Sequence, residues 1–319
     1  MPASSPDTAP PLVLDARGHV LDCRSAALHA SGAHVMGVLN VTPDSFSDGG
    51  RFLGLDAALR HAEQMIEEGA RLIDIGGESS RPKGKTYGAG ATPVDADEER
   101  RRVLPVIEAL AARFPGTLLS IDTYKPEVAA AALDAGAHLV NDITGGRFSS
   151  EMPHVAARFG APYIVMHSLG TPGAMPHEYD LDDPVASVKA SLANSVAQAE
   201  AAGVRDIVVD PGFGFGKTMA ANLALIGHTE AFVALGRPVL VGVSRKSSIG
   251  AALGTVDAPA PIEARLFGSL GATAVAVLRG AALVRTHDVR ATVELLRVIA
   301  AIEAAAEATA GRSSDEVAA

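Results

Sequence analysis

The sequence predicts an α/β protein, a single-domain (β/α)8 TIM barrel, on two observations. Eight short apolar runs alternate with longer helical patterns, and strands that alternate with helices favour a parallel sheet. Each run is apolar along most of its length, which is typical of strands buried on both faces. The 319 residues contain no linker that would divide the chain. Eight such units favour a closed barrel over an open doubly wound sheet.

The apolar runs are the predicted strands. They are His34–Asn40, Arg71–Gly76, Thr117–Asp122, His138–Asp142, Pro162–His167, Asp206–Asp210, Pro238–Ser244 and Ala282–His287. Helices are predicted over Asp56–Gly69, Asp95–Arg113, Lys125–Gly136, Pro184–Gly203, Asn222–Leu235, Pro261–Gly280 and Asp288–Ala306. Pro126 suits the first turn of its helix, and Gly136 is a suitable stop. We therefore expect a barrel over residues 31–307, a partly flexible extension over 1–30 and a flexible tail over 308–319.

Composition and charge argue against several classes of protein. The net charge of −10 is unsuited to a nucleic-acid partner, because phosphate backbones require clustered cations. The chain has one cysteine, Cys23, which cannot form an intrachain disulfide and is interpreted as a structural residue. The start lacks a secretory pattern, and the longest apolar stretch, 271–284, is too short to span a membrane and contains Arg279. A cytoplasmic protein with no membrane partner is expected.

Polar residues end nearly every predicted strand. In a parallel barrel these ends lie on one rim, where barrel enzymes build their sites. Single positions have ordinary interpretations as well, since Asp122 could cap the helix that Pro126 opens, and Asn141–Asp142 could be turn residues. His167 is interpreted as structural. So many polar ends together are hard to explain by capping alone and predict an active site.

Three further segments suggest ligand contacts. In Asp210–Lys217, glycines alternate with two aromatic residues that we expect to be exposed, which indicates a flat ligand or a close backbone approach. In Ser244–Ser247 two cations follow a strand, as solvated charges or as partners of a phosphate or carbonyl. Arg285 and His287 bracket a strand end and could bind an oxyanion together. The long Gly-rich segments 41–50 and 81–90 are predicted to be active-site loops.

Seven segments between residues 34 and 300 contain these features. They are Met36–Gly50, Asp74–Pro82, Ile121–Thr123, Asn141–Ile143, Asp210–Lys217, Ser244–Ser247 and Arg285–Val289. In this order and spacing they resemble the motifs of the dihydropteroate synthases. The resemblance implies a homodimeric, Mg²⁺-dependent barrel that joins 6-hydroxymethyl-7,8-dihydropterin pyrophosphate to p-aminobenzoate in folate biosynthesis, and a target of sulfonamides.

The resemblance also implies roles for individual residues. It implies a metal contact for Asn40. The implied pterin contacts are Asp122, Asn141, Asp210 and Lys246, with Ile143, Met166 and Phe215 packed round the ring. The implied pyrophosphate contacts are Arg81, Arg285 and His287, and the residues implied to flank p-aminobenzoate are Phe46, Pro82 and Ser244. The expected catalytic residues are Asp122, Lys246, Arg285 and His287.

The chain departs from the family pattern in the second loop and after His167. Ser80 stands where the family usually has Thr, and its hydroxyl keeps the expected substrate contact. The stretch Lys83–Gly90 lengthens the loop, and Ser168–Leu169 differs from the family. The alternatives are a pterin-dependent corrinoid methyltransferase and a non-catalytic pterin-binding paralogue. Arg81 and the Arg285/His287 pair disfavour the first, and the retained Lys246 disfavours the second.

Overall fold

The eight predicted barrel strands pair side by side in chain order. The computed structural model describes residues 13–23, 32–41, 50–78, 93–170 and 179–317. The strands form one parallel sheet in which the last pairs with the first. A parallel bridge between Val209 and Val239 joins the sixth barrel strand to the seventh. The predicted (β/α)8 barrel is confirmed.

The strands closely match their predicted ranges. They are β3 (His34–Asn40), β4 (Leu72–Gly76), β5 (Leu118–Asp122), β6 (Leu139–Asp142), β7 (Tyr163–Met166), β8 (Ile207–Asp210), β9 (Leu240–Val241) and β10 (Leu283–Thr286). Only β9 is much shorter than predicted. The apolar run extends from Pro238 to Ser244, but only Leu240 and Val241 form a strand.

Helices cover the outside of the barrel. Those in the described ranges are α1 (Gly50–Glu67), α2 (Ala96–Arg113), α3 (Pro126–Asp134), α4 (Glu151–Phe159), α5 (Pro184–Ala201), α6 (Met219–Gly227), α7 (Glu230–Val233), α8 (Ser247–Leu253), α9 (Leu266–Leu278) and α10 (Val289–Val317). None of these helices is long and apolar enough to cross a membrane. The largest apolar core lies between them and the strands.

The helices of the structure differ from the predicted ones in several places. The single helix predicted over 222–235 is two helices, α6 and α7, and the helix predicted from Pro261 begins as a 3-10 turn, Ile262–Arg265. The sequence analysis did not predict α4 or α8, which are nine and seven residues long. The backbone of 308–317 is helical where a tail was expected, since α10 continues to Val317.

A β-hairpin closes the bottom of the barrel and was not predicted. Strands β1 (Val13–Ala16) and β2 (His19–Asp22) are antiparallel, and Arg17 and Gly18 form their turn at φ of 56° and 93°. Leu14 and Leu21 pack against residues at the N-terminal ends of the barrel strands. Cys23 joins this cluster, and burial raises the pKa of its thiol to about 12, in keeping with a structural residue. The opposite end of the barrel is left for the site.

Candidate active site

The sheet register brings the polar strand ends together on one rim. Asp122 pairs with Gly76 on one side and with Asn141 on the other. Met166 pairs with Asp210 on the next strands. Four residues predicted to contact the pterin therefore lie on neighbouring strands.

Arg285 binds two carboxylates at the centre of this rim. Its Nε donates to Oδ2 of Asp74 at 2.6 Å, and its Nη2 donates to Oδ2 of Asp122 at 2.6 Å. Asn141 also donates to Oδ2 of Asp74, at 2.9 Å. Asp74 was not among the predicted site residues, yet it is fully buried and orients both Arg285 and Asn141. A carboxylate inside an otherwise apolar strand was the available signal.

Asp122 lies in an environment that disfavours its charge. Burial raises the pKa of Asp122 to about 7, the positive charge of Arg285 lowers it, and Asp74 raises it. The pKa of Arg285 is raised by Asp74 and Asp122, although burial acts in the opposite direction. One arginine thus compensates two carboxylates, and the group of three is net negative whenever Asp122 is ionised.

Asp210 is held by the glycine-rich segment that follows it. The carboxylate is 6% exposed, and its Oδ1 accepts a hydrogen bond from the Gly212 amide at 2.7 Å. Gly212 has φ of 69°, and a Cβ there would lie 1.7 Å from the carbonyl oxygen of His167, so only glycine fits. The close backbone approach predicted for this segment is therefore present. The expectation of two exposed aromatics is wrong for Phe213, which is buried in the main core.

Lys246 lies beside this segment. Its Nζ donates to the carbonyl of Phe213 and lies 4.2 Å from the centre of the Phe215 ring. A Cβ on Gly214 would lie 2.7 Å from the Lys246 side chain, so the lysine stem packs directly on that glycine. Burial lowers the pKa of Lys246 to about 7, while Asp210 opposes the shift. The cation is thus bonded to a backbone carbonyl rather than fully solvated, and a phosphate or carbonyl of a ligand as its partner stays a prediction.

An apolar wall adjoins the polar groups. Ile143, Met166 and Tyr124 form a small buried cluster, with Phe215 packed against it. Three of these residues were predicted to surround the pterin ring. Tyr124 was missed, because its position before Pro126 suggested only a helix start. A flat aromatic ring would find a matching surface here.

Ser244 and His287 lie together at the ends of β9 and β10. Ser244 Oγ accepts from the His287 amide at 3.2 Å and lies 3.1 Å from its Nδ1. Burial lowers the pKa of His287 to about 3, with Arg285 acting in the same direction, so its imidazole is neutral at pH 7. Arg245 turns away from Lys246 and binds both carboxylate oxygens of Asp288. It is therefore ion-paired rather than available to a ligand.

Two strand-end residues have structural roles. Asp142 accepts hydrogen bonds from Thr144, from the Gly146 amide and from Tyr163, so it is a turn residue as one interpretation held. Its neighbour Asn141 faces the site instead. His167 is 5% exposed, and burial lowers its pKa to about 3, which agrees with the structural interpretation.

A second ionic cluster lies behind Tyr124. Lys125 donates to carboxylate oxygens of both Glu78 and Glu99. Tyr124 Oη donates to Glu78 Oε1 at 2.8 Å. Glu78 also accepts from the Val94 amide at 3.3 Å. This hydrogen bond links the chain just before the second loop, at Glu78, to the chain just after it, at Val94. None of these contacts was predicted.

Part of the predicted site lies outside the described residues. These positions are Phe46, Ser80, Arg81 and Pro82, so their roles stay predictions. Asn40 is described, and it lies exposed at the end of β3 on the same rim.

Comparisons with known proteins agree with this arrangement. The model of a family described as pterin binding enzyme matches residues 36–287. The dihydropteroate synthase of Escherichia coli (strain K12) is 43% identical over 289 residues, which cover 90% of this chain and 98% of the relative.

Solved structures give the same result. The Xanthomonas albilineans dihydropteroate synthase with 4-aminobenzoic acid has a TM-score of 0.80 and 44% identity, over 92% of this chain and 98% of that one. The same organism's enzyme in complex with 7,8-dihydropteroate has a TM-score of 0.76 and 41% identity, over 92% and 99%. These relatives match over the whole barrel.

Proposed function

This chain belongs to the family of pterin-binding enzymes, and we propose that it acts as a dihydropteroate synthase. It is a transferase of folate biosynthesis that condenses 6-hydroxymethyl-7,8-dihydropterin pyrophosphate with p-aminobenzoate, giving 7,8-dihydropteroate and pyrophosphate. The observation that carries the proposal is one polar cluster beside one apolar wall. Asp74, Asp122 and Arg285 meet at the rim where Asp210 and Lys246 also lie.

The pterin edge suits Asp210 and Lys246. A dihydropterin presents an amino group and a ring N–H side by side, and a carboxylate accepts both as a bidentate pair. Asp210 Oδ1 already accepts from Gly212, which fixes the carboxylate plane and leaves further lone pairs. Lys246 can donate to the ring carbonyl and a ring nitrogen. The ring then lies against the wall formed with Met166 and Phe215.

Charge separation is the main chemical demand of the reaction. As the bond to pyrophosphate breaks, the pterin methylene carbon becomes positive. Asp122 and Asp74 share a single arginine, so ionised Asp122 leaves net negative charge that stabilises this carbon. Arg285, His287 and Arg81 provide donors for the departing oxygens. The carbon then bonds to the p-aminobenzoate nitrogen, whose proton is lost.

Mg²⁺ is proposed as the cofactor, with Asn40 as its protein ligand. An amide oxygen suits Mg²⁺, and Asn40 is exposed on the correct rim. Among the residues that the structure describes, no cluster of three or more His, Cys, Asp or Glu side chains could hold a metal. Mg²⁺ is usually bound by few protein oxygens together with substrate phosphates and water, and an amide oxygen such as that of Asn40 would suit this mode of binding. When bound, the ion would neutralise charge on the leaving group.

The p-aminobenzoate subsite is proposed to include Ser244, Phe46 and Pro82. Ser244 is 7% exposed and lies next to His287, close to the other reacting groups. The arylamine is a neutral nucleophile, so the reaction needs positioning more than a strong general base. This agrees with His287, whose pKa of about 3 makes it a poor base but leaves a neutral imidazole donor.

A homodimer is proposed through an apolar face of α9 and α10. Phe267, Val275 and Leu278 on α9 and Val298 and Ile302 on α10 are exposed large hydrophobic residues. The two helices contact each other, so the side chains share one side of the barrel. Exposed apolar surface on this scale marks protein interfaces. Sedimentation should give a dimer, and Phe267→Glu should shift it toward monomer.

One assay tests the proposed activity. The protein is incubated with the dihydropterin pyrophosphate, p-aminobenzoate and Mg²⁺, and dihydropteroate is measured by chromatography alongside released pyrophosphate. Equal amounts of the two products are expected, and Asp210→Asn protein should form both at least about tenfold more slowly when the pterin substrate is below saturation. Intact substrates after long incubation with folded wild-type protein would refute the activity.

A further inference from the structure

Lys217 has a buried side-chain amine that the proposed mechanism does not use, and burial lowers its pKa to about 7. It is 5% exposed, and no carboxylate within the described ranges forms an ion pair with it. Its Nζ donates instead to three backbone carbonyls, those of Gly212 at 2.7 Å, His167 at 3.3 Å and Phe215 at 3.3 Å. Three carbonyl acceptors match the three N–H donors of the ammonium form and favour that form over the neutral amine.

These carbonyls belong to the backbone that presents the pterin-binding groups. Gly212 contributes its carbonyl to Lys217 and its amide to Asp210. Phe215 contributes its carbonyl to Lys217 and its ring to the apolar wall. Between them lies Phe213, whose carbonyl accepts from Lys246. The ammonium of Lys217 thus holds the carbonyls on both sides of the Lys246 contact.

Asn222 also forms hydrogen bonds to the backbone of the segment Asp210–Lys217. It is fully buried, and its Oδ1 accepts from the Gly214 amide at 2.7 Å. Its Nδ2 donates to the Lys217 carbonyl at 3.0 Å and to Ser248 Oγ at 3.0 Å. Ser248 lies on α8, two residues after Lys246. Asn222 therefore ties the segment to the helix that follows Lys246.

We propose that Lys217 is a positioning residue for pterin binding, because its bonds to the Gly212 and Phe215 carbonyls set the positions of Asp210, Phe215 and Lys246. It does not touch the pterin. The segment contains three glycines at positive φ, so without a tie its backbone would have many accessible states. The ammonium removes this freedom before the ligand arrives, and Asn222 supports it. The inference rests on the proposed function, since it assigns the pterin to this pocket.

The test compares Lys217→Met with Lys217→Arg. Methionine keeps most of the apolar stem without any donor, and arginine keeps charge and donors. Lys189→Met, on α5 of the outer layer, is the matched control. The dissociation constant of unphosphorylated 6-hydroxymethyl pterin is measured by calorimetry at a temperature where every variant is folded by circular dichroism. Lys217→Met should weaken binding about tenfold or more, as expected for loss of a charge-assisted hydrogen bond, and Lys217→Arg less.

A fluorescence reporter separates positioning from simple loss of stability. The chain has no tryptophan, so Phe215→Trp introduces a single one at the pocket wall. In that background Lys217→Met should change the emission maximum and lower the anisotropy of the folded, ligand-free protein. A purely structural role would lower the melting temperature and leave both signals of the folded state unchanged.

The outcomes distinguish the inference from the function on which it rests. Wild-type protein that does not bind the pterin contradicts the proposed function. Wild-type binding together with unchanged affinity in Lys217→Met refutes the positioning role alone. If Lys217→Met does not fold, Lys217→Gln serves instead, since glutamine keeps a polar donor but is shorter and has too few N–H donors for the three carbonyls that Lys217 Nζ contacts. Unchanged pterin affinity in that variant would equally refute the inference.

Discussion

Replacing Arg285 with methionine tests the electrostatics at the centre of the site. The guanidinium is the cation shared by Asp74 and Asp122, whose side chains are 0% and 15% exposed, and is itself 20% exposed. Methionine keeps much of the side-chain volume, so the change removes charge and hydrogen bonds with little loss of packing. Two buried carboxylates then face each other without compensation.

The magnitude follows from this burial. Removing one partner of a buried ion pair typically costs about 3–5 kcal/mol of unfolding free energy. Protonation relieves part of this cost, because the pKa of Asp122 is already raised to about 7 by burial with the arginine in place, and it rises further without it. A carboxyl whose pKa is raised in the native state takes up a proton on folding. Its stability contribution is therefore present at low pH and lost as the pH rises.

The assay is urea unfolding followed by circular dichroism at pH 6 and pH 8. The stability gap between wild type and Arg285→Met should widen by up to roughly 1.4 kcal/mol between these values, because wild-type Asp122, with a pKa of about 7, loses its own proton over the same pH range. Adding Asp74→Asn should recover much of the loss. Arg113→Met, which breaks an exposed pair with Glu63, is the control and should cost less than about 1 kcal/mol at both pH values. A gap independent of pH would refute the reasoning.

Three other variants test separate parts of the site. Asp210→Asn should fold normally, since an amide oxygen can still accept from Gly212, but calorimetry should show about ten- to hundredfold weaker pterin binding, and near-native affinity would contradict the ring-edge assignment. His287→Ala should lower turnover of the pyrophosphate ester and leave affinity for the unphosphorylated pterin nearly unchanged; equal losses would mean that His287 contacts the pterin. The pKa of His167 is lowered to about 3, so its contribution, of the order of 4 kcal/mol, is complete above pH 6.5 and lost as the pH falls toward 3. His167→Gln should therefore have a shallower acid dependence of urea stability, and an unchanged slope would argue against a buried neutral imidazole.

The barrel could be predicted because its strands are buried on both faces. Such strands have nearly continuous apolar runs that end abruptly in polar residues, and this pattern located β3–β8 and β10 to within one or two residues. The hairpin of β1 and β2 has no comparable signal. Each strand has four residues, and its turn places Arg17, a non-glycine residue, at positive φ. Its apolar residues find their partners only once the barrel exists.

The positions of several site residues could be predicted because they lie at strand ends, and their roles stay predictions. Asp122, Asn141 and Asp210 meet because sheet register is local and regular. The pairing of Asp74 with Arg285 spans 211 positions of the chain and depends on barrel closure, so no local pattern reveals it. The contacts of Lys217 could not be predicted either. Its partners are backbone carbonyls, which every residue type has, so the sequence does not indicate which of them it contacts.

The shifted pKa values of Asp122 and Lys246 have the same main cause, which is burial, and a common consequence. Burial raises the pKa of Asp122 and lowers that of Lys246, both to about 7, because each charged form loses its hydration. At neutral pH, the charged and neutral forms of each group therefore have nearly equal free energies. A pterin that accepts from Lys246 favours its ammonium form, and positive charge developing at the methylene favours the carboxylate of Asp122. In the proposed mechanism, pterin binding thus favours charged Lys246, and bond breaking favours charged Asp122. Groups that are fully hydrated are already charged at neutral pH, so neither contact would change their ionic state.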